Sequence, residues 1–504
     1  MSTEGQSDSS PVSITRRIFS FPMMIAGLLM ALAVLTVQSR FDDPDMWWHL
    51  KTGQIIWTTH GIPTTDLFSY TTNHHAYVPH EWLSQVLIYG AFRLAGYSGL
   101  MGWMCFFTSA QLIVGYILCW FYSGNAKVAF LGSLLIWMFA TVGMSVRPQM
   151  IGYLLLTVEL LLLHLGRTRN PRWFFALPVL FAVWVNCHGS FFLGLILAAA
   201  FLFSAFFEFQ MGSLASHRWD LQRRQILGVA LALSLGALFL NPIGVKQLLY
   251  PLDTLLHQPI GLANSDEWKA LQLDDGRGLA MLATLACIGL VVAVHRTEIL
   301  WHELLLLAIG TWLATSHGRM LFIFGILAAP ILCRLLADQW DGYNPRRDLP
   351  VANALLLALS LLAVYLAFPR PPDLRAQVQA DSPAKALEFI QAHHLPGPIV
   401  NDYRYGGYLI WAAPEYPVFV DGRADVFEET GVLAEFGNWA TLQSPPTKLL
   451  DRYHVNLCLL SSKSPMRFVL PLLPGWSEVY SDDVSIVFTR TPPAPQSIPV
   501  AAMQ

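Results

Sequence analysis

Long apolar segments recur along most of this chain, and they restrict its fold more than any other feature. A hydrophobic helix needs about 20 residues to cross a bilayer. Only 13% of the residues are charged, against roughly 25% in soluble domains. We therefore predict an α-helical polytopic membrane protein with about eleven transmembrane helices and a C-terminal soluble α/β domain. The predicted spans are 18–37, 99–122, 128–144, 149–165, 173–187, 190–210, 226–240, 277–294, 299–315, 320–337 and 349–368.

The distribution of lysine and arginine between the loops predicts the orientation, because positive residues are enriched in cytoplasmic loops. With the amino terminus inside, twelve Lys and Arg residues lie in cytoplasmic loops. The outer loops are about twice as long in total and carry eight. An odd number of spans then places the C-terminal domain on the periplasmic or extracellular side of a bacterial inner membrane, in the cell envelope. The formal net charge of −3 favours no nucleic-acid partner.

Composition also divides the chain into segments. Pro369, Pro371 and Pro372 predict a stiff linker between the membrane region and the C-terminal domain. The predicted divisions are a disordered cytoplasmic amino terminus (1–17), the transmembrane region (18–368), its first outer loop (38–98), the linker (369–382), the α/β domain (383–491) and a disordered tail (492–504).

Local patterns predict the elements of the loop and of the C-terminal domain. Apolar residues at helical spacing in 45–59 and 80–94 predict two interfacial helices in the first outer loop. Beyond residue 382, helical and strand patterns alternate, which is typical of a small three-layer α/β domain. The predicted helices are 383–393, 408–411, 433–441 and 448–453, and the predicted strands are 398–401, 418–421, 457–460, 478–480 and 485–489.

An acidic cluster opens the first outer loop. Asp43 and Asp45 have the spacing of a metal-binding pair, so a divalent cation could bind there; alternatively, Asp43 caps the following helix. Asp45 and His49 share a helix face and could form a carboxylate–imidazole base. Trp47 and Trp48 fit either an interfacial aromatic belt or a sugar-binding surface. These residues make the start of the loop a candidate catalytic site.

Further candidates follow in the same loop and in the outer turns. Glu81 is a candidate catalytic acid, although an acid in the first turn also stabilises a helix. Asp66 is a candidate substrate-binding residue. Ionisable residues at membrane depth usually face a cavity, and four outer turns carry them or other polar side chains; the alternative is tight hairpins with snorkelling arginines. The turns are Arg147-Pro148-Gln149, Asn186-Cys187-His188-Gly189, Asn241-Pro242 and Ser316-His317-Gly318-Arg319.

Two motifs of the C-terminal domain each follow a predicted strand. Asn401-Asp402 precedes Arg404, and Asp421 is followed by Gly422 and Arg423. Ligands bind at the carboxyl ends of strands in open α/β sheets, so Arg404, Asp421 and Arg423 could line a crevice for a substrate. An Asp–Arg ion-pair network that holds the two loops is the alternative.

Taken together, the first span, the acidic cluster and the long outer loop resemble the GT-C superfamily of membrane glycosyltransferases. Within it the similarity is greatest to the bacterial group related to protein mannosyltransferases and lipid A aminoarabinose transferases. In that family the essential acid follows the first span, which maps best onto Asp45. The usual Asp-Glu pair is here Asp-Pro-Asp. The matching residues are Asp43-Pro44-Asp45-Met46-Trp47-Trp48-His49-Leu50, Gly53, Gly61, Pro63, Asp66 and Glu81-Trp82-Leu83.

This resemblance implies transfer of a sugar from a polyprenyl-phosphate donor to a glycan, lipid or protein acceptor at the outer membrane face. Asp45 would remove the acceptor proton. Arg147 and Arg319 would hold the lipid phosphate, with hydrogen bonds from His188 or His317. The alternatives are a polytopic transporter or flippase, with polar residues along its span interiors, and a non-catalytic membrane scaffold.

Overall fold

The computed structural model describes residues 14–72, 74–257 and 268–491. The predicted disordered tail 492–504 lies outside these ranges, as do residues 1–13 of the predicted disordered amino terminus. The prediction of disorder is wrong for the end of the latter segment, because Ile14–Ile18 is a short helix.

Helices follow the apolar runs, since a helix satisfies every backbone polar group within one segment. Each predicted span contains helix, and five helices are long and apolar enough to cross a membrane by length and composition. The predicted span 190–210 is too long: its helix ends at Ser204, and a small sheet follows with strands β1 (Phe209–Met211), β2 (Leu214–Ser216) and β3 (Ile299–Leu300). The helices are Phe21–Val37, Met46–Thr59, Trp82–Ser123, Ala126–Ala140, Gln149–Thr168, Leu177–Cys187, Phe191–Ser204, Leu221–Ala237, Val245–His257, Gly276–His295, Trp301–Ser316, Leu321–Leu335 and Pro350–Ala367.

Both predicted loop helices are present. The first is Met46–Thr59, with Asp45 at its N-cap. The second begins at Trp82 and runs into the next apolar segment, interrupted by non-helical backbone at Ala95 and Gly96. Gly96 has a φ of 58°, which glycine adopts without the steric penalty of a side chain. This kink separates the loop part of the helix from its apolar part.

The C-terminal segment begins with a helix where a stiff linker was predicted. Pro371–Asp381 is helical because Pro371 and Pro372 occupy its first turn, where a missing N–H removes no helical hydrogen bond. The following helices are Ala384–Ala392, Gly406–Ala412, Ala424–Glu429, Val432–Ala440, Pro446–Arg452 and Met466–Val469. They flank a sheet of four strands: β4 (Ile399–Asn401), β5 (Leu457–Ser461), β6 (Trp476–Ser481) and β7 (Ser485–Arg490). The strand order is β4-β5-β7-β6, and only the β4–β5 pair is parallel.

The prediction of a strand at 418–421 is wrong, although Val418, Phe419 and Val420 are fully buried as a central strand would be. Several backbone N–H and C=O groups of this segment form hydrogen bonds with side chains, where a central strand would pair with a neighbouring strand. The Asn401 amide accepts from the Phe419 N–H at 2.8 Å and donates to the Val420 carbonyl at 2.7 Å. The apolar pattern was therefore that of a buried, irregular segment.

The first outer loop supplies the remaining partners of this segment. The Val418 N–H donates to the Phe68 carbonyl at 2.9 Å, and the Thr71 hydroxyl donates to the Phe419 carbonyl at 2.7 Å. Trp48, from the first loop helix, is buried in the core of the C-terminal segment. The first outer loop and the C-terminal segment are thus joined by hydrogen bonds and share a hydrophobic core.

Candidate active site

A cavity of about 950 Å³ lies where the outer turns, the first loop and the C-terminal segment meet. Its walls come from residues far apart in the chain, which the interlocked loop and C-terminal segment bring together. The lining residues discussed below are Asp45, Trp48, His49, Tyr77, His80, Glu81, Arg147, Gln149, His188, Tyr250, Trp268, Arg319, Tyr403, Arg404, Gly422, Arg423, Asp425, Phe436, Gly437, Asn438, Thr441 and Gln443.

The acidic cluster is organised around one arginine. Arg147 Nε lies 2.5 Å from Asp43 Oδ2, and Arg147 Nη2 lies 3.1 Å from Asp45 Oδ2. The backbone N–H of Asp45 donates to Asp43 Oδ1 at 3.0 Å, which fixes the turn before the helix. Arg147 therefore links the two carboxylates, and of the two only Asp45 lines the cavity.

The C-terminal segment touches Asp45 directly. A Cβ atom built on Gly422 would lie 1.9 Å from Asp45 Oδ1 and 3.1 Å from Trp48 Nε1. Only a residue without a side chain lets this loop approach the carboxylate so closely. Gly422 thus forms the wall of the cavity beside Asp45.

A second carboxylate, Glu81, is surrounded by imidazoles. The Nε2 atoms of His188 and His80 lie 3.4 Å and 3.7 Å from Glu81 Oε1, and that of His49 lies 3.9 Å from Glu81 Oε2. His49 also contacts Gln85, at 3.2 Å. The structure therefore gives His49 the carboxylate of Glu81 as its neighbour, in place of the expected partner Asp45.

Burial sets the charge of this cluster. Burial raises the pKa of Glu81 to about 8, against the opposing effect of Arg319 and Arg147. It also lowers the pKa of His80 to about 4 and the pKa of His188 to about 3. Burial, followed by the charge of Arg147, lowers the pKa of His49. At neutral pH Glu81 is mostly protonated and the imidazoles are uncharged, so the cluster can donate hydrogen bonds to a bound ligand.

Arg319 provides a second cation to the cavity. Its Nη2 donates to Gln149 Oε1 at 2.6 Å, and its guanidinium lies 4.8 Å from the ring centroid of Trp268. His317 packs edge-on against the same tryptophan and does not line the cavity. Three of the predicted polar turns, those of Arg147, His188 and Arg319, therefore meet in one cavity.

The wall of the C-terminal segment contains a buried ion-pair network. Arg423 Nη1 lies 2.7 Å from Asp66 Oδ1, and Arg423 Nη2 lies 2.6 Å from Asp421 Oδ2. These three side chains join the first loop to the C-terminal segment, whereas the ion-pair alternative had placed such a network between the two C-terminal loops. Beside them, the Tyr250 hydroxyl donates to Asp425 Oδ2 at 3.2 Å, and burial raises the pKa of Asp425.

The predicted site residues divide into two groups. Those that line the cavity are Asp45, Trp48, His49, Glu81, Arg147, His188, Arg319, Arg404 and Arg423. The others lie behind it: Asp43, Asp66 and Asp421 hold arginines, His317 contacts Trp268, and Trp47 packs against Tyr97 and Tyr408.

The sequence predicts a possible divalent cation at Asp43 and Asp45. Within 14–72, 74–257 and 268–491, no group of three or more His, Cys, Asp or Glu side chains is arranged to hold one. The acidic pair Asp43 and Asp45 already engages Arg147, whose positive charge occupies the place of a shared cation.

Several lining residues were not predicted. Tyr77, Tyr250, Trp268, Tyr403 and Asp425 come to the cavity through tertiary packing. His80 adjoins Glu81 in sequence, and its ring stacks on that of Tyr250 with centroids 3.7 Å apart. His80 lies beside a predicted residue and could have been found; the others carry no local signal.

Comparisons with known proteins agree on the fold. No protein-family model and no curated protein matches the sequence. ArnT from Cupriavidus metallidurans, solved with undecaprenyl phosphate, superimposes with a TM-score of 0.52 at 14% identity, covering 92% of this chain and 97% of that one. The oligosaccharyltransferase AglB from Archaeoglobus fulgidus, solved with an inhibitory peptide and a dolichol-phosphate, gives 0.53 at 12% identity, covering 97% and 76%. This chain therefore shares the overall fold of these two structures, as the resemblance to the GT-C superfamily implied.

Proposed function

We propose that this protein is a membrane glycosyltransferase that moves a sugar from a polyprenyl-phosphate donor to an acceptor hydroxyl. The observation that carries the proposal is the single cavity that holds Asp45, Glu81, Arg147 and Arg319. It combines a carboxylate for proton removal with cations for a leaving phosphate. The lipid phosphates bound by the structurally similar ArnT and AglB support a donor of this class.

The reaction is one displacement at the anomeric carbon. Asp45, which forms its ion pair with Arg147 as a carboxylate, takes the proton of the acceptor hydroxyl. The acceptor oxygen forms the new glycosidic bond as the bond from the anomeric carbon to the phosphate oxygen breaks. The electron pair leaves with the polyprenyl phosphate, which gains one negative charge. Arg147 and Arg319 stabilise that charge, since guanidinium groups bind phosphate oxygens in pairs.

Protonated Glu81 has a different role. Its carboxylic acid, which lies next to the uncharged imidazoles of His80 and His188, donates a hydrogen bond to a sugar hydroxyl or to the phosphate.

Because the cavity includes residues of the predicted outer turns, the reaction takes place at the non-cytoplasmic face. A phosphatase fused after Gln504 should be active outside the cytoplasm, and one inserted at Gly212, between β1 and β2, should not.

The test is sugar transfer by the full-length protein in lipid nanodiscs, with undecaprenyl-phosphate-linked radioactive hexoses as donors. General-base assistance is worth about 10²–10⁴ in rate, so Asp45→Asn should lower donor turnover by that factor while the protein stays folded. The exposed Asp483 is outside the cavity, and Asp483→Asn is the matched control.

Retention of turnover within a few-fold by Asp45→Asn would show that another group is the base. A chelator distinguishes the metal alternative: loss of turnover with EDTA, restored by a divalent salt, would mean that a cation bridges Asp43 and Asp45.

A further inference from the structure

Besides its charged groups, the cavity is lined by uncharged polar and aromatic side chains. Asn438, Thr441 and Gln443, at the end of the helix Val432–Ala440 and just after it, are exposed and present amide and hydroxyl groups. The aromatic rings of Tyr77, Tyr403 and Phe436 also line the cavity. Such groups hydrogen-bond hydroxyls in both directions and cover the apolar faces of rings.

One donor in this region is unsatisfied. The Trp48 side chain is more than nine-tenths buried, and its indole N–H has no hydrogen-bond partner in the described part of the chain. Trp48 lines the cavity next to Asp45 and Gly422. Buried polar groups without a partner are rare, so this N–H would gain a partner from a ligand for which the adjacent wall at Gly422 moves aside.

Charge disfavours an anionic acceptor here. The positive charges of Arg404 and Arg423 are balanced by the negative charges of Asp66 and Asp421, which pair with Arg423. Asp425 adds negative charge whenever it is ionised. This wall therefore has no excess of cations with which to bind a second phosphate.

The wall offers an extended peptide no sheet edge. Peptides commonly bind by adding a strand to a sheet edge, which needs a row of free backbone groups. Among the described residues that line the cavity, none belongs to strands β1–β7. Helices, turns and loops provide the whole surface.

We propose that the acceptor is an uncharged oligosaccharide, bound between Trp48 and the helix Val432–Ala440. One of its hydroxyls reaches Asp45, while Asn438, Gln443 and the Trp48 N–H hydrogen-bond others. This inference rests on the proposed function, and it names the acceptor class that the function leaves open.

The experiment offers three acceptor classes to the protein in nanodiscs with the same radioactive donors. The probes are neutral oligosaccharides of three to six sugars, Ser/Thr-rich peptides and phosphorylated lipid disaccharides. Only the neutral oligosaccharides should receive label. Losing one hydrogen bond between uncharged groups weakens binding by about two- to tenfold, so Asn438→Ala and Gln443→Ala should each raise the KM for the oligosaccharide by that factor. The KM for the donor should not change. Gln391→Ala, an exposed amide outside the cavity, is the control.

Label in peptides or phosphorylated disaccharides, with none in neutral oligosaccharides, would overturn this inference and leave the proposed function intact. Slow hydrolysis of the donor without transfer to any neutral oligosaccharide would do the same. If no donor is consumed under any condition, including hydrolysis, the proposed function fails as well.

Discussion

A methyl group at position 422 tests whether the C-terminal segment positions the catalytic carboxylate. In Gly422→Ala the new Cβ would lie 1.9 Å from Asp45 Oδ1, far inside van der Waals contact. The loop or the carboxylate must move by about 1 Å, and a displacement of that size can reduce a rate by about 10²-fold. We expect donor turnover to fall by about that factor, with a small change in melting temperature.

A second glycine provides the control for this measurement. Gly437 also lines the cavity, but a Cβ built on it meets no atom within 4 Å. Gly437→Ala should therefore keep turnover within about twofold, since a methyl group in open space displaces nothing. Equal turnover for Gly422→Ala and Gly437→Ala would refute the claim that the contact at Gly422 positions Asp45.

Two further predictions concern other residues of the site. Because the raised pKa of Glu81, about 8, keeps it protonated at neutral pH, kcat/KM should fall as pH rises through that value. Glu81→Gln, which stays neutral, should remove the fall; a rate that instead rises through pH 8 would make Glu81 the base. The folded state binds the Glu81 proton more tightly than the unfolded state, so this group's contribution to stability should also decline as pH rises toward 8. Asp66→Asn leaves Arg423 with only one of its two carboxylates and should destabilise the fold by about 3 kcal/mol, measured by thermal unfolding against Asp483→Asn. A melting temperature equal to that control would show that the ion pair contributes nothing.

The helices could be predicted because local signals determine them. Apolar runs predicted the positions of most helices between residues 18 and 368, although the helix Val245–His257 was not predicted. The predicted strand 418–421 shows the limit of this approach: a buried apolar run specifies burial, but not which groups satisfy its backbone. Here those groups include Asn401 and the first outer loop, which no local pattern connects to Val418.

The site residues also divide into those with a local sequence signal and those brought together only by the folded chain. Arg147, His188 and Arg319 were predictable because each lies in an outer turn, and alternating spans bring such turns to one face. Tyr250 and Asp425, by contrast, are separated by 175 residues and meet only in the folded protein. The pairing of His49 with Glu81 was missed because helical spacing considers only neighbours on the same helix.

The interlocked loop has a consequence for biogenesis. Thr71 leaves the ribosome early, but its partner Phe419 follows 348 residues later. Contacts between such distant segments form late, because the chain between them must first be ordered. Until then, Trp48 lacks the core in which it is buried, and Asp45 lacks its wall at Gly422. A nascent chain therefore forms its apolar helices before this cavity is complete, and truncation after Ala367 would leave the cavity without the wall that Gly422 forms.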